Sequence, residues 1–482
     1  MMQKILFLLF CSLFFQKAEA QLFLSEGIAV SEEGTGARAP RIALLENDNP
    51  VVYWGKQGSN PKLYIAQLDG GSFGESLLIN TNGVEPDLWG GGLGPQIVAD
   101  GNTVFLVFEN YGQGVYCIKS NDGGITFDNP VEVFIAPTGR VATLPAITID
   151  LMGNPIISFV TTNFSEQDAQ YEVAKSLDGG LTFELPTVAN TAASGAEVCE
   201  CCPASMGIAA GDEVFLAFRN NDNDLRDIWV AKSSDAGASF TEATDIDETD
   251  WQIQSCPQSG PDMMVSGDNL SAVFFNGADG AKIYFSSVNK NTMELESHFH
   301  ITPVVENKNQ NFPSVAGSGD TLAVIWQESG QFGLDIMMAW TTTGPADLLN
   351  NKIVVADDIL SERQPDMLYK NGEFHIVYED SNSGQVMYRI ASFDPSVPTV
   401  EPIVETYAVR IQPNPFLDKT TITFDNPNSE VVDVFVINTN GQIIQQHKTT
   451  NTFSTITDLE RGIYLLKVQK GNAVVVENLV VQ

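Results

Sequence analysis

Four of the six cysteines fall in two short stretches, Glu197-Val-Cys199-Glu-Cys201-Cys202-Pro203 and Trp251-Gln-Ile-Gln-Ser-Cys256-Pro257. Sulfur at that density does one of two things. In an oxidising compartment the default is a disulfide, here between Cys256 and Cys202 or Cys199. The other is a thiolate site for zinc or Cu(I) on Cys199, Cys201, Cys202 and Cys256, because soft ligands select those ions. We adopt the disulfide, and expect no metal and no cofactor. Cys117 lies in an apolar run and reads as a buried thiol. His298, His300, His375 and His447 lack any H-E-x-x-H spacing, and His298-Phe-His300 reads as an alternating strand.

A second set of residues is charged. Arg38 and Arg363 precede prolines, in Arg38-Ala-Pro40 and Arg363-Gln-Pro365, while Arg219 and Arg226 flank the polar run Phe218-Arg-Asn-Asn-Asp-Asn-Asp-Leu-Arg-Asp227. Guanidinium groups bind carboxylates through paired, charge-assisted hydrogen bonds, so these four are candidates to bind a carboxylated sugar. Glu109, Asp222, Asp224 and Glu379 are the candidate acid and base of a glycoside hydrolase or lyase. That chemistry requires two carboxylates about 5 to 10 Å apart in one cleft.

The elements that position these groups form a repeat. Pro40, Pro95, Pro145, Pro203, Pro261, Pro313 and Pro365 anchor seven units, each followed 13 to 15 residues later by Trp54, Phe108, Phe159, Phe218, Phe275, Trp326 or Tyr378. A third apolar run follows a polar gap, as in Gly114-Val-Tyr-Cys-Ile118. Short strands repeating about every 50 residues predict an all-β fold, a β-propeller of four-stranded blades around a channel. Seven blades follow from the count. The last unit has only three strands after Pro365, and Leu22 to Val30 would supply the fourth.

In this arrangement the residues two before each proline, Arg38, Leu93, Thr143, Cys201, Ser259, Asn311 and Arg363, ring one mouth of the channel. The loops between second and third strands open on the same rim. Arg38 and Arg363 become neighbours once the ring closes.

Three units end in Ser120-Asn-Asp122-Gly-Gly124-Ile-Thr126-Phe127, Ser176-Leu-Asp178-Gly-Gly180-Leu-Thr182-Phe183 and Ser233-Ser-Asp235-Ala-Gly237-Ala-Ser239-Phe240. This S-x-D-x-G-x-[ST]-F pattern resembles the Asp box of the sialidase superfamily, and Asp69-Gly-Gly-Ser-Phe73 resembles a decayed copy. Asp122, Asp178 and Asp235 are expected to hold tight turns, on the rim opposite the arginines, rather than to catalyse. The resemblance implies a propeller, with six blades as the family alternative to seven. Arg38-Ala-Pro40 resembles the family's Arg-Ile-Pro element, whose arginine grips a substrate carboxylate. Sialidases also need an arginine triad, a tyrosine nucleophile with its glutamate, and a proton-transferring aspartic acid. Arg219 or Arg226 would be the third arginine. However, Trp54-Gly-Lys-Gln57 replaces the usual charged cluster, and no Tyr/Glu pair is assignable. The resemblance therefore implies the fold and a glycan or glycoconjugate partner, without sialidase activity. C-x-C-C-P, Arg226-Asp-Ile-Trp229 and W-x-I-x-x-C-P together resemble a group of secreted sialidase-like proteins.

The termini indicate destination. Residues 1–20 combine Lys4, the apolar run Ile5 to Phe15 and Ala18-Glu-Ala20, the layout of a secretory signal peptide too short to anchor in a bilayer. The propeller spans 21–398, a linker 399–408, and a small β-sandwich 409–482. The last segment has strand-like stretches at 420–424, 431–438, 441–446, 462–468 and 473–481. Its Pro413-Asn-Pro415 opening, Asn440-Gly441 turn and Arg461-Gly-Ile-Tyr-Leu465 strand resemble the C-terminal sorting domain of type IX secretion. That resemblance implies the secretion machinery as a partner and a destination outside the outer membrane. With 61 acidic against 25 basic residues, a formal charge of −36 argues against nucleic acid and anionic membranes.

Overall fold

The computed structural model describes residues 21–393 and 409–482, apart from 89–95, 111–113, 196, 303–307, 332, 359, 425, 427–428, 430, 439–442 and 471–472. The proposed signal peptide, the linker, Leu93, Pro95 and the Asn440-Gly441 turn lie outside the described residues.

Residues 21–393 form seven antiparallel sheets, one per proline-anchored unit. The inner strands are Ala37–Leu44, Gln96–Asp100, Arg140–Ile149, Ser205–Ala209, Asp262–Ser266, Gln310–Ser318 and Glu362–Lys370. Each pairs with the strand that follows it, and that strand pairs with a third. In the seventh blade the outermost strand comes from the other end of the domain: Phe23–Leu24 pairs with Gln385–Ser392, and Ile28–Ala29 pairs with the same strand.

The core lies between blades. Strand alternation explains this, since successive side chains point to opposite faces. In Thr103–Asn110, Val104, Leu106 and Phe108 face the first blade, while Phe105 and Val107 face the third. Seven such apolar layers, one at every junction including the seventh with the first, close the ring. A central strand buried on both faces must be apolar throughout, and runs such as Thr103-Val-Phe-Leu-Val-Phe108 are.

The proline anchors mark a recurring bulge. Ala39, Leu144, Phe312 and Gln364, each just before its proline, have φ of 49°, 56°, 50° and 50°, and the ladder register slips there. Non-glycine residues hold positive φ at a cost, and only where surrounding contacts impose it. Three of these amides are bound from the preceding blade. Glu109 accepts from Leu144, Glu379 from Ala39 at 2.6 Å, and the Gln327 carboxamide from Gln364 at 3.0 Å. In the second, sixth and seventh blades the side chain just after the anchoring aromatic is thus an inter-blade clamp.

The S-x-D-x-G-x-[ST]-F turns also connect blades. Asp122 accepts from the Thr126 amide at 2.8 Å and its hydroxyl at 2.6 Å, and Ser120 Oγ accepts from the Gly124 amide at 2.8 Å. Asp178 and Asp235 repeat the pattern. The turns pack on the preceding blade, where Gln67 donates to the Gly123 carbonyl at 2.7 Å and Lys119 to the Gly179 carbonyl at 3.0 Å. Gly124 has φ of 97°, and a Cβ there would meet Ile65 at 2.8 Å, so both conformation and proximity require glycine. Asp69-Gly-Gly-Ser-Phe73 is a two-residue hairpin whose Phe73 ring packs edge-on against Tyr388 at 5.4 Å.

Residues 409–482 make a three-stranded sheet (Val409–Gln412, Lys419–Phe424, Phe453–Thr457) and a four-stranded sheet (Ile443–Thr449, Val432–Ile437, Gly462–Lys470, Ala473–Val481). They enclose a separate core that includes Phe416, Ile422, Val434, Ile456 and Leu466. Val409–Gln412 and Phe453–Thr457 are strands additional to the five expected.

Candidate binding site at the channel mouth

The residue after each anchoring proline faces the channel. Arg41, Gln96, Ala146, Ala204, Asp262, Ser314 and Asp366, one per blade, line a cavity of ≈ 380 Å³. Two of the acids also bridge blades. Asp262 accepts from the Val315 amide at 2.9 Å and from Ser205 Oγ at 2.9 Å, and Asp366 accepts from the Ile42 amide at 3.0 Å. Burial pushes the Asp366 carboxyl up to about 6 despite the neighbouring Arg41, and burial also raises Asp262. Arg41 donates from Nη1 to the Pro40 carbonyl at 2.8 Å and from Nε to Gln96 at 3.3 Å. Sequence reasoning missed Arg41, Asp262 and Asp366. Their signal was present in the same repeat, one position after the proline instead of two before it.

Above the cavity, Arg38 and Arg363 occupy equivalent, exposed positions on the bulges of the first and seventh blades. Arg38 Nη1 donates to Gln57 at 2.8 Å. Arg363 lies opposite Glu379 in the strand ladder and makes no hydrogen bond or ion pair among the described residues. Arg38, Arg363 and Arg41 all act electrostatically on Glu379. Burial still raises that carboxyl, against the Ala39 amide and the three guanidinium groups.

Arg219 and Arg226 are placed differently from expectation. Arg219 is fully buried. Its guanidinium donates to the carbonyls of Ser259 (3.3 Å), Arg226 (2.7 Å) and Phe275 (2.5 Å) and lies 5.3 Å from the Trp251 ring. It occupies the position after the aromatic that holds glutamate in the second and seventh blades, so it clamps blades four and five by donating where those residues accept. Arg226 is buried as well, paired with Glu200 at 3.1 Å. Neither guanidinium is presented at the rim.

The carboxylate candidates are spread over the second, fourth and seventh blades. Glu109 and Glu379 are each committed to a backbone amide of the next blade, at the second–third and seventh–first junctions. Burial pushes Glu109 up to about 8, against the Leu144 amide. Asp222 and Asp224 flank Asn223 at a hairpin tip where Asn223 and Asp224 have φ of 53° and 70°. There Asp222 accepts from Asn223 Nδ2 at 2.8 Å.

At the fourth–fifth junction all four sulfurs lie within 4.8 Å of one another. The disulfide joins Cys201 to Cys256, across 55 residues, and not Cys202 or Cys199 as the spacing suggested. Burial separates the two pairs: Cys199 and Cys202 are fully buried, while Cys201 and Cys256 are half-buried on the facing linkers. Those linkers touch closely enough that a Cβ on Gly260 would fall 1.8 Å from the Pro203 carbonyl oxygen. Arg226 Nη1 lies 3.2 Å from Cys199 Sγ. Burial opposes ionisation of Cys199, but its hydrogen bond with Cys202 and the charges of Arg219 and Arg226 outweigh it and lower that thiol. Burial and Cys199 raise Cys202. Cys117 is buried in the second–third junction.

Residues 410–482 match the family model of the secretion system C-terminal sorting domain. A family PL25 polysaccharide lyase, an ulvan lyase bound to -[GlcA(1-4)Rha3S]-, is similar in structure with a TM-score of 0.51 and 10% identity, over 75% of this chain and 95% of that one. A Dyadobacter fermentans protein of unknown function gives 0.47 at 13% identity, over 77% and 99%. A Trypanosoma rangeli sialidase mutant with trans-sialidase activity gives 0.43 at 8%, over 94% and 86%. No curated protein matches by sequence. At 10% identity the likeness to the ulvan lyase shows the fold alone, a β-propeller. The sorting domain places the protein on the type IX route to the cell surface or extracellular space. No helix among the described residues is long and apolar enough to cross a membrane.

Proposed function

We propose that this secreted propeller binds an acidic carbohydrate or glycoconjugate at the channel mouth, through Arg38 and Arg363 with Arg41 beneath them, and without sialidase chemistry. The observation that carries the reading is the exposed Arg363 guanidinium, on the blade adjoining that of Arg38 and without a hydrogen bond or ion pair among the described residues. In a chain of formal charge −36, two exposed cations at one rim are a local exception to the field, suited to a carboxylate or sulfate. The uronic acid and sulfate groups of the glycan bound by the similar ulvan lyase have that chemistry. A catalytic role for Glu109 or Glu379 is disfavoured because each is occupied by a structural amide.

The test is calorimetric titration of the mature protein with a polyuronate, a sulfated polysaccharide and a neutral glucan. R38A and R363A should each weaken acidic-glycan binding about tenfold, equivalent to about 1.4 kcal/mol, and added salt should do likewise. Equal affinity for the neutral glucan, or a double variant that binds like wild type, would sink the proposal. Release of unsaturated or reducing ends from the bound glycan would replace a binding role with a lyase or hydrolase one.

A further inference from the structure

We propose that Cys199, Cys201, Cys202 and Cys256 form a four-thiolate site for one thiophilic d10 cation, Cu(I) or Zn(II), when the Cys201–Cys256 disulfide is reduced. A tetrahedral ion with metal–sulfur bonds of about 2.3 Å needs sulfurs about 3.8 Å apart. The four Sγ atoms lie within 4.8 Å of one another, and Cys199 and Cys201 are 3.9 Å apart. The frame needs little rearrangement, because the two linkers that carry the sulfurs are already pressed together at Gly260 and Pro203.

The surroundings suit anionic sulfur. Arg226 Nη1 is 3.2 Å from Cys199 Sγ, and the Gln258 amide donates to Cys256 Sγ at 3.3 Å. Arg219, fully buried against carbonyls and the Trp251 ring, has no carboxylate partner among the described residues, and a buried cation without a counter-charge is costly. Thiolates around a metal would provide that negative charge at the same junction. Two ligands are buried and two half-buried, so reductant and ion can approach from the rim.

The redox step balances as a thiol–disulfide exchange. A dithiol reductant gives two electrons and two protons to the Cys201–Cys256 bond and becomes a disulfide, leaving two cysteine thiols. Metal binding then displaces the thiol protons to solvent. The covalent link between blades four and five is thereby exchanged for a coordinate one.

The full chain, reduced with a phosphine under anaerobic conditions and desalted, is titrated with Co(II), Zn(II) and Cu(I). Uptake of one equivalent of Co(II) with thiolate-to-cobalt charge-transfer bands, displaced by Zn(II) or Cu(I), is expected. The ion that displaces the other identifies the preferred one. C199S, C202S and C256S should each weaken uptake by at least about tenfold, and R226Q by about tenfold through the outer contact. C117S should leave it unchanged. Melting of each metal-free variant establishes that it is folded. A folded C199S or C256S protein with wild-type affinity overturns the proposal. So does unreduced protein that binds as tightly as reduced, or reduced protein that takes up none of the three ions.

Discussion

The Glu379 carboxylate accepts the Ala39 amide hydrogen at 2.6 Å, joining residues 340 positions apart and clamping the seventh blade to the first. Ring closure therefore has two parts, this clamp near the channel and the Phe23–Leu24 strand on the outside. E379A leaves a positive-φ amide unbound and should cost about 1–3 kcal/mol in chemical denaturation, with E379Q recovering most of it. Deletion of residues 21–31 should be worse, because it strips the edge of the last sheet. A monomeric, fully stable deletion product in size-exclusion and melting experiments would contradict this view of closure.

Arg219 should be irreplaceable for stability and not for ligand. R219A leaves three carbonyls at the fourth–fifth junction without their donor, and a loss of at least about 3 kcal/mol is expected. R219K should recover little, since an ammonium cannot span three acceptors as a planar fork does. Denaturation midpoints of the two variants check this, and near-wild-type stability of R219K would count against it.

Glu362 sets a pH dependence. It is buried, and burial, then Asp358, Asp380 and Asp335, push it up to about 9 against the Asp358 amide. The folded state holds this proton more tightly than the unfolded chain, whose glutamate titrates near 4.3. Its contribution is therefore complete below about pH 4.3 and declines as pH rises toward 9. E362Q should leave the melting temperature unchanged near pH 4 and raise it by several degrees near pH 9. A constant difference across that range would refute the assignment.

Removal of the sorting domain should separate folding from export. The tail has its own core, so a chain ending at Pro398 should fold, pass the inner membrane and remain in the periplasm. Fractionation that recovers it in the medium at full-length levels would contradict the role of residues 410–482.

Much of this molecule is legible in the chain before folding. The proline-to-aromatic spacing determines seven blades, because one period equals one four-stranded sheet and strand alternation dictates which apolar residues face each junction. The one strand missing from the last unit points to residues 22–30 as the segment that completes it, and Phe23–Leu24 does so. Ser120 to Phe127 and its two copies set local turns whose hydrogen bonds span four residues, and local chemistry is what a motif encodes. The tertiary structure decided how each polar side chain at the rim is used. Glu109, Arg219, Gln327 and Glu379 occupy one repeat position, yet the period cannot reveal that it lies against the next blade's backbone, where burial demands a hydrogen-bond partner. The same applies to Cys201 pairing with Cys256 and to Arg41 entering the channel. Both outcomes depend on contacts between linkers and blades far apart in sequence, which spacing along the chain does not specify.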